Sequence, residues 1–269
     1  MIIVTDGAVD LPDWLEESPA IRKVSGRLWL GNDPVRGGTD AFWSLVRDHQ
    51  YPTTTPPTVS DLTEAYRHQD LVIGLHVSAI LSATASHARE AATRAGPGAI
   101  VIDTRSFSVG AGLVVAAVRR AVESPLEHQS IIDYARSLPE RLHTFALIQE
   151  IETLRRSDRS GLLPPGHLAK NHPLLLAVRG RVMALGQLKN RDAALRKLVW
   201  HLKTSTEPAS VGAWAIGHGD IANAAALLDQ LSRQIGSQPA FVTRLDPTVG
   251  AHLGPDSVVV AAISGPVDL

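Results

Sequence analysis

The chain has 269 residues, 44% of them apolar, with Lys+Arg and Asp+Glu nearly balanced at 26 and 27. That length buries a real core in one large domain or two of ordinary size, while the balanced charge gives no field to attract nucleic acid or an anionic membrane. With no cysteine, disulfides, thiolate metal sites and cysteine nucleophiles are excluded.

In chain order the pattern opens with "MIIVTDGAVDLP", which meets Asp6 too soon for a signal peptide and reads as a first strand, "IIVT" (2–5). Helical spacing follows around "AFWSLVRDH" (41–49) and "SDLTEAYRHQ" (60–69), then a strand "LVIGLHV" (71–77). A helix from about Ser82 to Ala95 stops at Gly96, and a strand "AIVID" (99–103) precedes helices over 110–123 and 130–138. The strand "HTFALI" (143–148) closes the first half. Strands alternating with helices, with no hairpin signal between them, predict a parallel sheet covered on both faces, whose ligands sit beyond the carboxyl ends of the strands.

After about residue 149 the pattern changes. "HPLLLAVRGRVMALGQL" (172–188) reads as two strands turning at Arg179-Gly180, a hairpin signal absent earlier. A helix is expected at 192–203 and a strand at 211–218. A second helix carries the apolar stripe Ile221, Ala224, Ala225, Leu228, Leu231 and Ile235, and strands follow at 241–245 and 257–263. The Gly/Pro/charge-rich stretch 155–171 reads as an inter-domain or mobile loop. The division predicts an N-terminal α/β domain over 1–149 and a second α/β domain, with a mixed or antiparallel sheet, over 150–269. No apolar run reaches about 18 residues, the length a spanning helix needs. A soluble cytoplasmic protein without stable membrane insertion is expected.

Three stretches carry chemistry. In "YPTTTPPTVSD" (51–61), Thr58 and Asp61 have the spacing of a helix-capping box. Thr53, Thr54 and Thr55 precede Pro56-Pro57, which stiffens them into an extended loop that either connects or presents hydroxyls. In "HVSAILSATASHA" (76–88), Ser78, Ser82 and Thr84 stand where a strand runs into a helix. They either cap that helix or join its N–H groups in holding an anion. In "VIDTRSFSVGAG" (101–112) a strand ends in Asp103, as "IIVT" ends before Asp6. Such carboxylates cap loops or helices, or serve as metal ligands or as an acid/base pair.

The histidines form no HExxH pattern, and no GxSxG elbow or P-loop appears. The residues therefore read as a hydroxyl-lined anion site without metal or cofactor and without an evident activating base.

Taken together these stretches are similar to the DegV family of bacterial fatty-acid-binding proteins. "IVTDGAVDLP" (3–12) resembles the family's I-V-T-D-S-T-A-D-L-P, "TTTPPT" (53–58) its T-S-x-P-S loop, and "SAILSAT" (78–84) its S-S-x-L-S-G-T. "VIDTRSFSVGAGLVV" (101–115) matches its V-I-D-S segment, and "SDR" (157–159), "HPLL" (172–175), "LKNR" (188–191) and "HLGPDSV" (252–258) follow in order. The chain departs from the pattern at Gly7 and Ala8, at Ala79 and Ala83, and at Ser157-Asp158.

The resemblance implies a two-domain, non-enzymatic α/β protein that buries one long-chain fatty acid in an apolar tunnel, closed by the second domain. It assigns Thr54 and Ser82 as hydroxyl donors to the carboxylate, surrounded by Ser78 and Thr55. It sets Arg159, Arg191 and His252 near the head group or the docking surface for a separate fatty-acid kinase of phospholipid metabolism. Two other readings stay open: an enzyme acting on an acyl or phosphorylated small molecule through Asp6 or Asp103, and an interaction protein with a vestigial pocket.

Overall fold

The structure, a computed structural model, describes residues 1–67, 71–148, 172–178, 181–188, 190–206, 210–221 and 224–269. In chain order the elements are β1 (Ile2–Asp6), α1 (Asp13–Glu16), β2 (Ile21–Val24), β3 (Arg27–Leu30), β4 (Asp33–Pro34), α2 (Gly38–Arg47), β5 (Thr53–Thr55) and α3 (Val59–Tyr66). Then come β6 (Val72–His76), α4 (Thr84–Ala95), β7 (Ala99–Asp103), α5 (Ser108–Val122), α6 (His128–Ser137) and β8 (Leu142–Leu147). The remainder is β9 (His172–Val178), β10 (Arg181–Leu188), α7 (Arg191–Thr206), β11 (Val211–His218), α8 (Ala224–Ile235), β12 (Phe241–Arg244), α9 (Pro247–Leu253) and β13 (Val258–Ser264).

The alternation expected in the first half produces a wholly parallel sheet in the order β2-β1-β6-β7. Successive strand residues point to opposite faces, and here both faces are covered. Val4 and Val72 pack with Leu62 and Tyr66 of α3 and with Ala88, Ala91 and Ala92 of α4. Ile3 and Ile73 face the other way, into a core built around α5.

The second sheet runs β10-β9-β8-β13-β11-β12 and is antiparallel except where β11 meets β12. Its outer face, with Phe145, Trp214 and Val260, buries Leu195, Leu198 and Leu202 of α7 and Leu231 of α8. Its inner face, with Ala146, Ala177, Ala215, Ala261 and Ile263, packs into the same core as Ile3 and α5. Helix α5 therefore lies between the two sheets. It is apolar nearly all round, and every residue except Arg119, Arg120 and Val122 is buried, the signature of a helix covered on all sides.

The expected fold class is observed, with informative differences in detail. The strand predicted at 143–148 forms as β8, but it joins the second sheet, pairing antiparallel with β13 and β9. A run buried on both faces looks the same in a parallel or a mixed sheet, so local pattern does not choose the partner. The hairpin forms as β9 against β10; its turn at 179–180, and the loop 155–171, lie outside the described residues.

On α8 the buried residues are Leu227, Leu231, Ser232 and Ile235, whereas Ala225 is exposed and Leu228 half-buried. The expected stripe is thus rotated toward Leu227. The three threonines expected as an extended loop form β5, which pairs with β3 in a small sheet β4-β3-β5.

The cap at Thr58 forms: its Oγ1 accepts from the Asp61 backbone N–H at 3.1 Å and donates to Asp61 Oδ2 at 2.7 Å. The reciprocal half of a capping box, acid to cap backbone, is replaced by this side-chain bond. Thr58→Ala is expected to cost about 1 kcal/mol in a denaturant melt; an unchanged midpoint would show that the cap adds nothing to folding.

Candidate functional site

At the carboxyl ends of β1 and β6, where the topology predicts ligands, a cavity of about 300 Å³ opens between the two sheets. That is at the lower end of the range for small-molecule sites, roughly 300–1,000 Å³. Its apolar walls include Val77, Leu81, Phe107, Leu175, Val182, Val249 and Leu253. Its polar groups come from four places: Asp6 at the end of β1, Thr54 and Thr55 on β5, Ser82 and Thr84 at the start of α4, and Thr248 and His252 on α9.

Strand geometry selects among the threonines. Thr54 points opposite to Thr53 and Thr55 because side chains alternate along β5; it is half-buried while its neighbours are exposed. Thr54 Oγ1 lies 3.0 Å from His252 Nε2, linking β5 to α9. When the imidazole donates from Nε2, the Thr54 hydroxyl keeps its own proton for a ligand. The neighbouring Pro56-Pro57 wall is tied to α4, where His87 Nδ1 donates to the Pro57 carbonyl at 2.8 Å.

Ser82 serves the entry to α4 and also lines the cavity. Its Oγ accepts from the Thr84 N–H at 3.2 Å and lies 2.8 Å from Thr84 Oγ1, so it ties down the entry to α4 while lining the cavity. A hydroxyl has one donor and two acceptor positions, so bonding the Thr84 N–H leaves the Ser82 proton able to reach an anion.

Ser78 is placed differently. It is buried, and its carbonyl accepts from the Leu81 and Ser82 N–H groups, so it builds the turn and is not among the residues lining the cavity. Arg191 opens α7 and does not line the cavity either. Arg159 lies outside the described residues.

The strand-end acids are committed to backbone. Asp6 Oδ1 accepts from the Ala8 N–H at 2.9 Å, and Oδ2 accepts from Val77 N at 3.1 Å and contacts His76 Nδ1 at 2.9 Å. His76 Nε2 in turn meets the Tyr66 hydroxyl at 2.7 Å. Burial, and secondarily the charge of Asp6, push the Tyr66 phenol above its usual range, so it stays protonated and donates. Gly74 makes the arrangement possible, since a Cβ there would stand 1.7 Å from the Tyr66 hydroxyl oxygen. Asp103 accepts from Ala79 N at 3.2 Å and Arg105 N at 2.8 Å, away from the cavity.

Beside the cavity lies a charged joint that sequence reading missed. The buried Asp10 carboxylate accepts from Ser108 Oγ at 2.5 Å and from the Asp246 N–H at 2.6 Å, tying the loop after β1 to α5 and to the entry of α9. Burial, and next the charge of Asp246, push its pKa up to about 7, with Ser108 and Lys23 pulling the other way. Lys23 pairs with Glu16 and with Asp246 Oδ2, the latter at 3.1 Å. Burial alone would lower the Lys23 pKa, but Asp246 and Glu16 more than offset this and hold the ammonium charged.

Among the described residues no group of three or more His, Asp or Glu side chains has the arrangement of a metal site, and no helix is long and apolar enough to cross a membrane.

Known proteins resemble this architecture over its whole length. The family model described as "Uncharacterised protein, DegV family" matches residues 1–265. A DegV domain-containing protein of Mycobacterium tuberculosis is 29% identical over 98% of both chains. One from Deinococcus radiodurans is 32% identical, covering 78% of this chain and 77% of its own. Among solved structures, a Thermus thermophilus DegV family protein described by its fatty-acid binding has a TM-score of 0.86 at 25% identity, covering 98% of this chain and 99% of its own. A stearic acid-binding protein of Eubacterium ventriosum has a TM-score of 0.90 at 16% identity, with 98% of each chain covered.

Proposed function

This chain belongs to the DegV family, and from that premise we propose that it binds one long-chain fatty acid without chemically altering it. The observation that carries the reading is the cavity itself. Apolar walls drawn from both sheets meet a cluster of polar side chains, Thr54, Ser82 and His252, at the carboxyl ends of the parallel strands.

The two parts of such a ligand match the two parts of the site. Each buried CH₂ contributes about 0.8 kcal/mol, so the tail supplies most of the affinity. The carboxylate is held by hydroxyls and leaves with less difficulty than it would from a bidentate arginine. Thr54 and Ser82 are the donors, Thr55 borders them, and His252 holds Thr54. Ser78 contributes by shaping the turn before Ser82. The carboxylate loops belong to residues 1–149, and residues 150–269 close the tunnel.

Following the family resemblance, the protein acts in the cytoplasm and presents the acid to a separate kinase for acyl-phosphate formation. Arg191 and Arg159 then serve at the docking surface. The acid/base alternative is disfavoured by Asp6 and Asp103, whose oxygens are engaged by backbone N–H groups.

Lipid extracted from the purified protein is expected to contain about one fatty acid per chain, identified by mass spectrometry. A hydrogen bond to a charged group is worth about 1.5–3 kcal/mol, so Thr54→Ala with Ser82→Ala is expected to weaken palmitate binding by on the order of a hundredfold or more. A protein that is empty as purified and also fails to take up palmitate would overturn the reading.

A further inference from the structure

Gly7 stands in the cavity wall, at the position where the family motif that the chain resembles carries serine. The space is not vacant. A Cβ built on Gly7 would lie 2.7 Å from Thr248 Oγ1 and 3.1 Å from Ser25 Oγ. The first distance is too short for a real contact, so a side chain at 7 would require the Thr248 hydroxyl to leave its present position.

Thr248 lies in the first turn of α9, four residues before His252, and residues at that spacing share a helix face. Both line the cavity. His252 meets Thr54 from that face, and Arg27, just beyond cavity-lining Gly26, pairs with Thr55. Residues 7, 54, 55, 248 and 252 thus surround one end of the cavity. The backbone N–H of Thr248 is satisfied by Asp246 Oδ1 at 2.8 Å, while its hydroxyl makes no hydrogen bond with any described residue.

We propose that Thr248 is a hydroxyl donor to the bound carboxylate, supplied from α9 in the space that a side chain on residue 7 would otherwise fill. The inference rests on the fatty-acid reading above and deepens it by adding a donor from the C-terminal half. The carboxylate is then gripped from both halves of the protein, by Thr54 and Ser82 on one side and by Thr248 on the other.

Four proteins test this: wild type, Thr248→Val, Gly7→Ser, and Gly7→Ser combined with Thr248→Ala. Each is titrated with [1-¹³C]palmitate, and its ligand-free melting temperature is measured. Thr248→Val keeps the shape and removes the hydroxyl. It is expected to bind about tenfold more weakly and to move the carboxyl ¹³C resonance, while melting like wild type. Gly7→Ser alone is expected to lower the melting temperature and weaken binding; in the double variant, where Thr248 Oγ1 is gone, the melting temperature is restored and binding returns only to the level of Thr248→Val.

Thr248→Val that binds within twofold of wild type with an unmoved carboxyl resonance overturns the proposal, as does a double variant whose losses simply add. Those results leave fatty-acid binding standing. Failure of wild type to bind palmitate removes the fatty-acid reading and the donor role together, and that arm is read independently of the variants.

Discussion

Between about pH 4 and pH 7 the protein is expected to lose on the order of 4 kcal/mol of stability through Asp10 alone. The carboxyl moves from an ordinary value of 3.8 up to about 7 in the folded state, and each displaced pH unit is worth about 1.4 kcal/mol. The sign follows from proton counting. Across this window the folded chain holds the Asp10 proton and the unfolded chain has released it, so raising the pH favours unfolding. The effect is complete once the folded group also ionises. Asp10→Asn keeps the shape, can accept from Asp246 N and can donate to Ser108, but has no charge to desolvate. Denaturant melts at pH 4, 5.5, 7 and 8.5 are expected to show the variant gaining on wild type as pH rises. Parallel pH profiles for the two proteins would mean that Asp10 does not govern this window.

His76→Ala is expected to cost about 3–5 kcal/mol, since it removes a hydrogen bond to a buried carboxylate, leaves a phenol donor unpaired and opens a cavity. It leaves the buried Asp6 carboxylate without its ring partner and the Tyr66 hydroxyl without its acceptor. The same carboxylate holds Ala8 and Val77 in the cavity wall, so palmitate affinity is expected to fall with stability. Tyr66→Phe removes only the outer bond and is expected to cost about 1–2 kcal/mol. Melts that rank Tyr66→Phe as the worse of the two would show that the ring's bond to Asp6 is not the strong member.

The elements with a clear period were legible in the sequence. The short apolar runs "IIVT" and "LVIGLHV" and the helical spacing between them produced the parallel sheet and the strand ends at which the cavity opens. Thr54 was less accessible: three threonines before two prolines read as a stiff loop, and only pairing with β3 makes them a strand in which the middle residue alone faces inward. The partner of β8 was invisible for a related reason, because hydrogen bonds to β13 span more than a hundred residues and leave no local trace. Asp10 was passed over although it lies four residues beyond Asp6. Nothing in "DGAVDLP" announces that Ser108 and Asp246 come to meet it. Thr248 gave no motif at all. Its position against Gly7 depends on how α9 docks on the end of β1, which only three-dimensional packing reveals.

Helix α5 has a consequence for how the two sheets can move. Because its apolar surface is shared by both sheets, swinging the halves apart like a clamshell would expose that surface to water at about 25 cal/mol for each Å² uncovered. Heating is therefore expected to melt both sheets in a single cooperative transition.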